Sequence, residues 1–237
     1  MQIALINPNT TQAMTDRICI AARTVAASGT NIIGSQPAIG PAAIEGPFDG
    51  AMAVPGLLKE IFEAERNGAD AHIIACFDDT GLDAARAIAS KPVIGIGEAS
   101  FHAASLIAHS FCVVTTLSCS APIIEDNIQR YGFGRRCRQV FATDIPVLEL
   151  ENPESRAADR ISDFIEKSIQ LGAEAVVLGC AGMAEFAAEL QEKHKLPVID
   201  GVSAAVGLAE MFVKCGISTS KQRVWATPSR HQLLGSY

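Results

Sequence analysis

Two cysteines, Cys76 and Cys180, occupy the same place in two copies of one sequence pattern. Gly68-Ala69-Asp70-Ala71-His72-Ile73-Ile74-Ala75-Cys76 recurs 104 residues later as Gly172-Ala173-Glu174-Ala175-Val176-Val177-Leu178-Gly179-Cys180. Each copy leads into a helix-like stretch and a second matching strand, Pro92-Val93-Ile94-Gly95 and Pro197-Val198-Ile199-Asp200. A free thiol titrates near pH ~8.5, so thiolate and thiol are both within reach at neutral pH. Two thiols on opposite faces of one carbon could remove a proton from one side and return a proton to the other. Such a carbon must lie beside a carbonyl, and hydrogen-bond donors must hold the charge that moves onto its oxygen.

The alternative for any cysteine at the end of an apolar strand is simple burial. Cys19, Cys112 and Cys215 fit that reading, lying inside apolar helices or a strand, while Cys119 and Cys137 are incidental. Recurrence at equivalent positions separates Cys76 and Cys180 from these. Around them, polar turns offer further groups. Asp78 and Asp79 either cap the following helix or orient Cys76 and accept a hydrogen bond from a substrate N–H. Asn7 and Asn9 are either turn and cap residues or contacts for an amide-bearing ligand, and Thr10 reads first as a turn or cap residue. Glu45 is either a cleft acid or an exposed loop acid. Thr115, Thr116 and the backbone at Phe77, Ala181 and Gly182 are placed to meet a carbonyl oxygen, and Phe77 is a candidate pocket wall.

The elements that must carry these residues alternate along the chain. Apolar runs at 2–6, 31–35, 72–75, 93–96, 111–114, 140–143, 176–178 and 198–199 read as strands. Stretches at 11–27, 50–67, 82–89, 99–108, 121–131, 154–171, 183–193 and 203–216 read as helices. Gly29, Gly68, Gly132, Gly172 and Gly216 stand where a helix-ending glycine belongs. The expected fold is α/β: two pseudo-symmetric lobes, each a parallel-type sheet flanked by helices, with the active site in the cleft between them. Lobe 1 is expected over 1–97, lobe 2 over 98–201, and the C-terminal helix and tail, 202–237, packing back on lobe 1.

Composition bounds the rest. The chain has 237 residues, and its net charge of −7 argues against nucleic acid as a partner. Only 5% of residues are aromatic against 49% hydrophobic, which points to an Ala, Val, Ile and Leu core under covered parallel strands. No apolar run reaches the length of a membrane span and no signal peptide precedes the first strand, so a cytoplasmic location and no membrane partner are expected. The seven scattered cysteines lack paired spacing, which argues against a disulfide framework or a zinc site, and Gly95-Ile96-Gly97 lacks the third glycine of a dinucleotide fingerprint. No metal and no cofactor are expected.

Taken together, several segments resemble the aspartate/glutamate racemase superfamily, and within it the hydantoin racemase branch. They are Ile6-Asn7-Pro8-Asn9-Thr10, Ile44-Glu45-Gly46, Ala75-Cys76-Phe77-Asp78-Asp79-Thr80-Gly81-Leu82, Val113-Val114-Thr115-Thr116, Leu178-Gly179-Cys180-Ala181-Gly182-Met183 and Pro197-Val198-Ile199-Asp200-Gly201-Val202. The resemblance implies a cofactor-independent, two-base racemisation with Cys76 and Cys180 as the bases, and a homo-oligomer. Amino-acid racemases of the superfamily carry Asn-Thr after the first cysteine and Thr-His or Thr-Glu after the second. Phe77-Asp78 and Ala181-Gly182 depart from that, which turns the expectation toward a neutral cyclic ureide as the small-molecule substrate. The reading is a racemase of D- and L-5-monosubstituted hydantoins. Allantoin racemase is the alternative of the same class, and a bilobal small-molecule binding protein without turnover is the alternative of another. A thiol-redox role is a further alternative, weakened by the missing CxxC spacing.

Overall fold

The computed structural model describes residues 1–150 and 152–228; the end of the expected tail, 229–237, lies outside the described residues. Strands and helices alternate throughout. They run β1 (Gln2–Ile6), α1 (Gln12–Val25), β2 (Asn31–Ser35), α2 (Pro47–Arg66), β3 (Ala71–Ile74), α3 (Leu82–Ile88), β4 (Val93–Gly95) and α4 (Ile96–Ile107). The series continues with β5 (Phe111–Thr115), α5 (Ala121–Arg130), β6 (Cys137–Ala142), α6 (Ala157–Gln170), β7 (Ala175–Leu178), α7 (Ala187–His194), β8 (Val198–Asp200) and α8 (Gly201–Lys214).

All strand pairings are parallel, and they build two four-stranded sheets with orders β2-β1-β3-β4 and β6-β5-β7-β8. The two orders are the same once β5 is matched to β1 and β7 to β3. In sheets of this kind the crevice beyond the strand ends, where the order reverses, receives ligands. That reversal falls between β1 and β3 in one sheet and between β5 and β7 in the other. The inner strands are buried along their length, which their near-continuous Ile, Val, Leu and Ala runs require.

The duplication is written into the backbone hydrogen bonds. Asp70 N donates to Gln2 O and Glu174 N to Ser110 O; His72 N donates to Pro92 O and Val176 N to Pro197 O. The acids at the matched positions do the same work, Asp70 accepting from Gln2 N and Glu174 from His109 N. Gly68 and Gly172 both hold positive φ, 79° and 76°, closing the preceding helix in the left-handed conformation that favours glycine.

The chain divides into two compact units. The first comprises Met1–Ala75, Asp79–Gly95 and the chain from Val206 on; the second comprises Cys76–Asp78 and Ile96–Ala205. In the first unit, Glu210 of α8 accepts hydrogen bonds from Ala27 N (2.8 Å) and Thr30 Oγ1 (2.6 Å), and Trp225 Nε1 donates to Asp83 of α3. In the second, a core of Val114, Ile161, Ile165, Val176, Leu178 and Met183 lies under α6 and α7. Among the described residues no helix is long and apolar enough to cross a membrane.

One helix departs from expectation. The stretch read as a helix over 183–193 opens as a 3-10 helix, Ala181–Phe186, and only then becomes α7. Met183 N bonds Cys180 O three residues back, and the Met183 side chain is fully buried. The tighter winding thus begins directly at Cys180.

Glu65, near the end of α2, ties three elements of the first unit. It accepts hydrogen bonds from His72 Nε2 (3.0 Å), Ser90 N (3.0 Å), Ser90 Oγ (2.6 Å) and Lys91 N (3.1 Å). Burial works against its charge, but these donors outweigh it and hold the carboxyl at about 2. The stabilisation is therefore present above the unfolded carboxyl value and is lost as pH falls through the 4.5-to-2 window. Glu65→Gln should lower unfolding free energy at pH 7 by about 2 kcal/mol, with a smaller gap at pH 4. Urea unfolding at the two pH values tests this; a gap that does not change with pH would show that the carboxylate's charge contributes nothing.

Candidate functional site

The two cysteines leave their sheets at equivalent ladder positions. Ala75 N donates to Ile6 O at 2.8 Å, and Gly179 N donates to Val114 O at 2.8 Å. Each is the last ladder bond before a cysteine, and each joins the two strands between which the order reverses. Cys76 and Cys180 are both half-buried, unlike Cys19 and Cys112, which are buried; Cys215, expected inside the last helix, lies just past the end of α8 and is exposed.

Around Cys180 the backbone is held closely. Thr115 Oγ1, itself buried, donates to Gly179 O at 2.9 Å. A Cβ on Gly179 would stand 2.8 Å from Thr115 Cβ and 3.0 Å from Thr115 Cα, so glycine is what allows β5 and β7 to come this close at their ends. Cys180 itself is extended (φ −153°, ψ 140°) and borders the core of the second unit. The next residues, Ala181 and Gly182, open the 3-10 helix, and the first N–H groups of a helical turn have no partner within it. A Cβ on Gly182 would stand 3.0 Å from Leu150 Cδ1 and 3.8 Å from the Cys180 sulfur, so the missing side chain lets the turn pass close to Leu150 beside the thiol.

The Cys76 turn is built differently. The next helix, α3, starts only at Leu82, after the turn of 77–81, so Cys76 does not sit at a helix start as Cys180 does. Phe77 is 4% exposed and its ring meets Phe101 edge-on, centroids 5.5 Å apart; Phe101 in turn contacts Phe111, Tyr131 and Phe133. The Phe77 ring is thus packed in an aromatic core. The carbonyl of Asp78 accepts from Asn127 Nδ2 of α5 at 2.9 Å. Asp79 adopts φ 51°, and its carboxylate lies over Gly95, where a Cβ would fall 2.1 Å from Oδ1.

The turn after β1 is a closed hydrogen-bonded knot. Asn7 Nδ2 donates to Asn9 Oδ1 (2.8 Å) and Thr15 Oγ1 (3.1 Å), while Asn9 Oδ1 also takes Thr11 N (2.9 Å). Asn9 thereby caps the start of α1, whose N-cap residue Thr11 makes no side-chain capping bond. Thr10 N and Oγ1 both donate to Pro41 O. Glu45 is half-buried, and its N–H donates to Asp49. Thr116 is buried, with its carbonyl taking Asp144 N at 2.7 Å.

The sequence profile of the Asp/Glu/Hydantoin racemase family matches residues 3–209. The chain belongs to this family. A hydantoin racemase from Rhizobium meliloti is 48% identical over 229 residues, covering 96% of this chain and 95% of that protein. A second hydantoin racemase, from Pseudomonas sp. (strain NS671), is 41% identical over 237 residues, covering 100% of this chain and 95% of its own. The solved structure of an allantoin racemase from Klebsiella pneumoniae superposes with a TM-score of 0.95 at 43% identity, covering 97% of this chain and 94% of that one.

Within that family setting, the residues singled out from the sequence separate into groups. Cys76, Phe77, Asp78, Thr115, Thr116, Cys180, Ala181 and Gly182 all fall in the second unit; Asn7, Asn9, Thr10, Glu45 and Asp79 fall in the first. Two contributors had no sequence signal. Asn127 reaches across 49 residues from an amphipathic helix, and Gly179 serves by lacking a side chain. Among the described residues no group of three or more His, Cys, Asp or Glu could hold a metal ion.

Asp78 carries an electrostatic cost. Burial pushes its carboxyl up to about 6. A raised carboxyl favours the protonated form in the fold, so stability is lost as pH rises through 6 and is recovered below the ordinary value of 3.8. Asp78→Asn should stabilise the protein at pH 8 by about 2 kcal/mol and leave it unchanged near pH 4. Thermal melts across that range measure the difference; equal stability of variant and parent at pH 8 would refute the cost.

Proposed function

We propose that this protein racemises 5-monosubstituted hydantoins by passing a proton between two cysteines on opposite faces of the ring carbon. The observation that carries the reading is the matched ladder position of Cys76 and Cys180 at the two strand-order reversals, in a chain belonging to the Asp/Glu/Hydantoin racemase family. One thiolate takes the proton from the carbon between carbonyl and ring nitrogen, and the other thiol delivers its proton to the opposite face. After one turnover the charge has moved from the first sulfur to the second. In the reverse direction the sulfurs exchange roles, or the pair resets through solvent.

The charge developing on the carbonyl oxygen is assigned to the Ala181 and Gly182 N–H groups at the head of the 3-10 helix, where it needs no reorganisation to be met. Asp78, with its half-buried carboxylate two residues beyond Cys76, is assigned to a ring N–H. Asn7, Asn9, Thr10 and Thr115 are assigned to shaping the strand-end turns, since their side chains are engaged there. Gly182 is assigned to the side of Cys180 that receives the ring substituent, since a Cβ there would crowd both the sulfur (3.8 Å) and the tip of Leu150 (3.0 Å). Gly182→Val should lower kcat/KM about tenfold or more, with the loss growing as the substituent is enlarged. An equal kcat/KM for all substrates of the variant and parent would remove Gly182 from the binding surface.

Allantoin is the second substrate reading, favoured by the 43% identical solved structure of an allantoin racemase. A polarimetric panel of substituted hydantoins together with allantoin decides between them. We further assign the enzyme to a homo-oligomeric state, as the family resemblance implies, and to the cytoplasm.

The decisive test of the chemistry uses Cys76→Ser and Cys180→Ser singly. Each should lose racemisation by about 10²-fold or more. Each should keep exchange of the ring-carbon proton into deuterated solvent for only one enantiomer, and the two variants should keep opposite ones. Full racemisation by either variant would end the two-thiol scheme.

A further inference from the structure

We propose that Asn127 is a positioning residue for the Cys76 thiol, acting through the carbonyl of Asp78. This rests on the two-thiol reading above and extends it to how the sulfur is aimed.

Cys76 follows β3 of the first unit, yet the three residues 76–78 belong to the second. Two contacts hold them there. The Phe77 ring is seated edge-on against Phe101 in the aromatic core, and Asn127 Nδ2 donates to Asp78 O at 2.9 Å. The first fixes the residue directly after the cysteine, and the second fixes the carbonyl one residue further on. Together they set the direction in which the chain passes Cys76, in a turn that no helix start stiffens until Leu82.

Cys180 has a matching device on its other side. Thr115 Oγ1 donates to Gly179 O at 2.9 Å, fixing the carbonyl directly before the thiol. Each cysteine therefore stands within two residues of a backbone carbonyl gripped by a side chain from a neighbouring element of the same unit. Proton transfer between a sulfur and a carbon demands close placement, and an error of about 1 Å costs roughly 10²-fold in rate. Asn127 is half-buried near the middle of α5, between the buried Ile124 and Ile128, so its exchange need not disturb the core.

The experiment uses full-length Asn127→Asp, which keeps the size of the side chain and removes the donor, and Asn127→Ala, which removes both. Asn127→Gln retains an amide and serves as the conservative rescue. Exchange of the ring-carbon proton into deuterated solvent is followed separately for each hydantoin enantiomer. The rates at which iodoacetamide alkylates Cys76 and Cys180 are read by peptide mass spectrometry. For the enantiomer whose exchange is lost in Cys76→Ser, Asn127→Asp and Asn127→Ala should slow exchange about tenfold or more, with KM changed less than about twofold. The opposite enantiomer should exchange at the parent rate, and alkylation should change at Cys76 but not at Cys180. Asn127→Gln should recover part of the loss.

An equal loss for both enantiomers, or unchanged exchange and alkylation in Asn127→Asp, overturns the proposal. If Cys76→Ser or Cys180→Ser retains full racemisation, the two-thiol reading itself has failed. If both lose it while Asn127→Asp behaves as the parent, only the positioning role has failed.

Discussion

The register of the two parallel sheets governs everything built at their ends. In both sheets the last bond between the inner parallel strands comes from the residue before a cysteine. Ala75 and Gly179 therefore do the same job, and the thiols emerge from equivalent points beside the order reversals. A slip of one residue would send each cysteine side chain to the opposite face of its sheet, since successive side chains alternate between faces. The buried inner strands, apolar on both faces, pay for that fixity with the hydrophobic surface they remove from water.

Equivalent position does not give equivalent surroundings. Cys180 heads a 3-10 helix, where the first N–H groups face outward from the turn and the peptide dipoles favour negative charge. Cys76 has a longer turn before α3 and relies instead on its neighbours, the packed Phe77 ring and the carbonyl held by Asn127. The two halves kept the ladder and diverged in the turns beyond it. The task proposed for the two thiols does not demand symmetric supports, because a ring substrate itself differs on its two sides.

Much of this was legible in the chain. Strand periodicity, helix-ending glycines and the repeat around each cysteine located the elements, because these signals are local and depend on backbone conformation or burial. The roles of the polar residues were less legible. Asn7 and Asn9 read equally well as ligand contacts or as turn builders, and only the folded chain shows their amides bonded to Thr11, Thr15 and one another. Phe77 beside a reactive thiol reads as a pocket wall, yet its ring turns into the aromatic core with Phe101. The reach of Asn127 to Asp78 spans 49 residues, which no short window contains.

Two carboxylates show how the same group is treated for different ends. Glu65 is met by four donors and held at about 2, the arrangement expected where a charge ties elements together. Asp78 is taken out of water with no compensation sufficient to keep its carboxyl low, and it rises to about 6. A neutral residue there would make a more stable protein. Retaining an acid at such a cost, two residues from Cys76, accords with the ring N–H contact proposed for Asp78, since perturbed carboxyls gather where chemistry is done. A ring N–H arriving at Asp78 would supply the hydrogen bond the fold withholds, so substrate binding and relief of that cost would be one event.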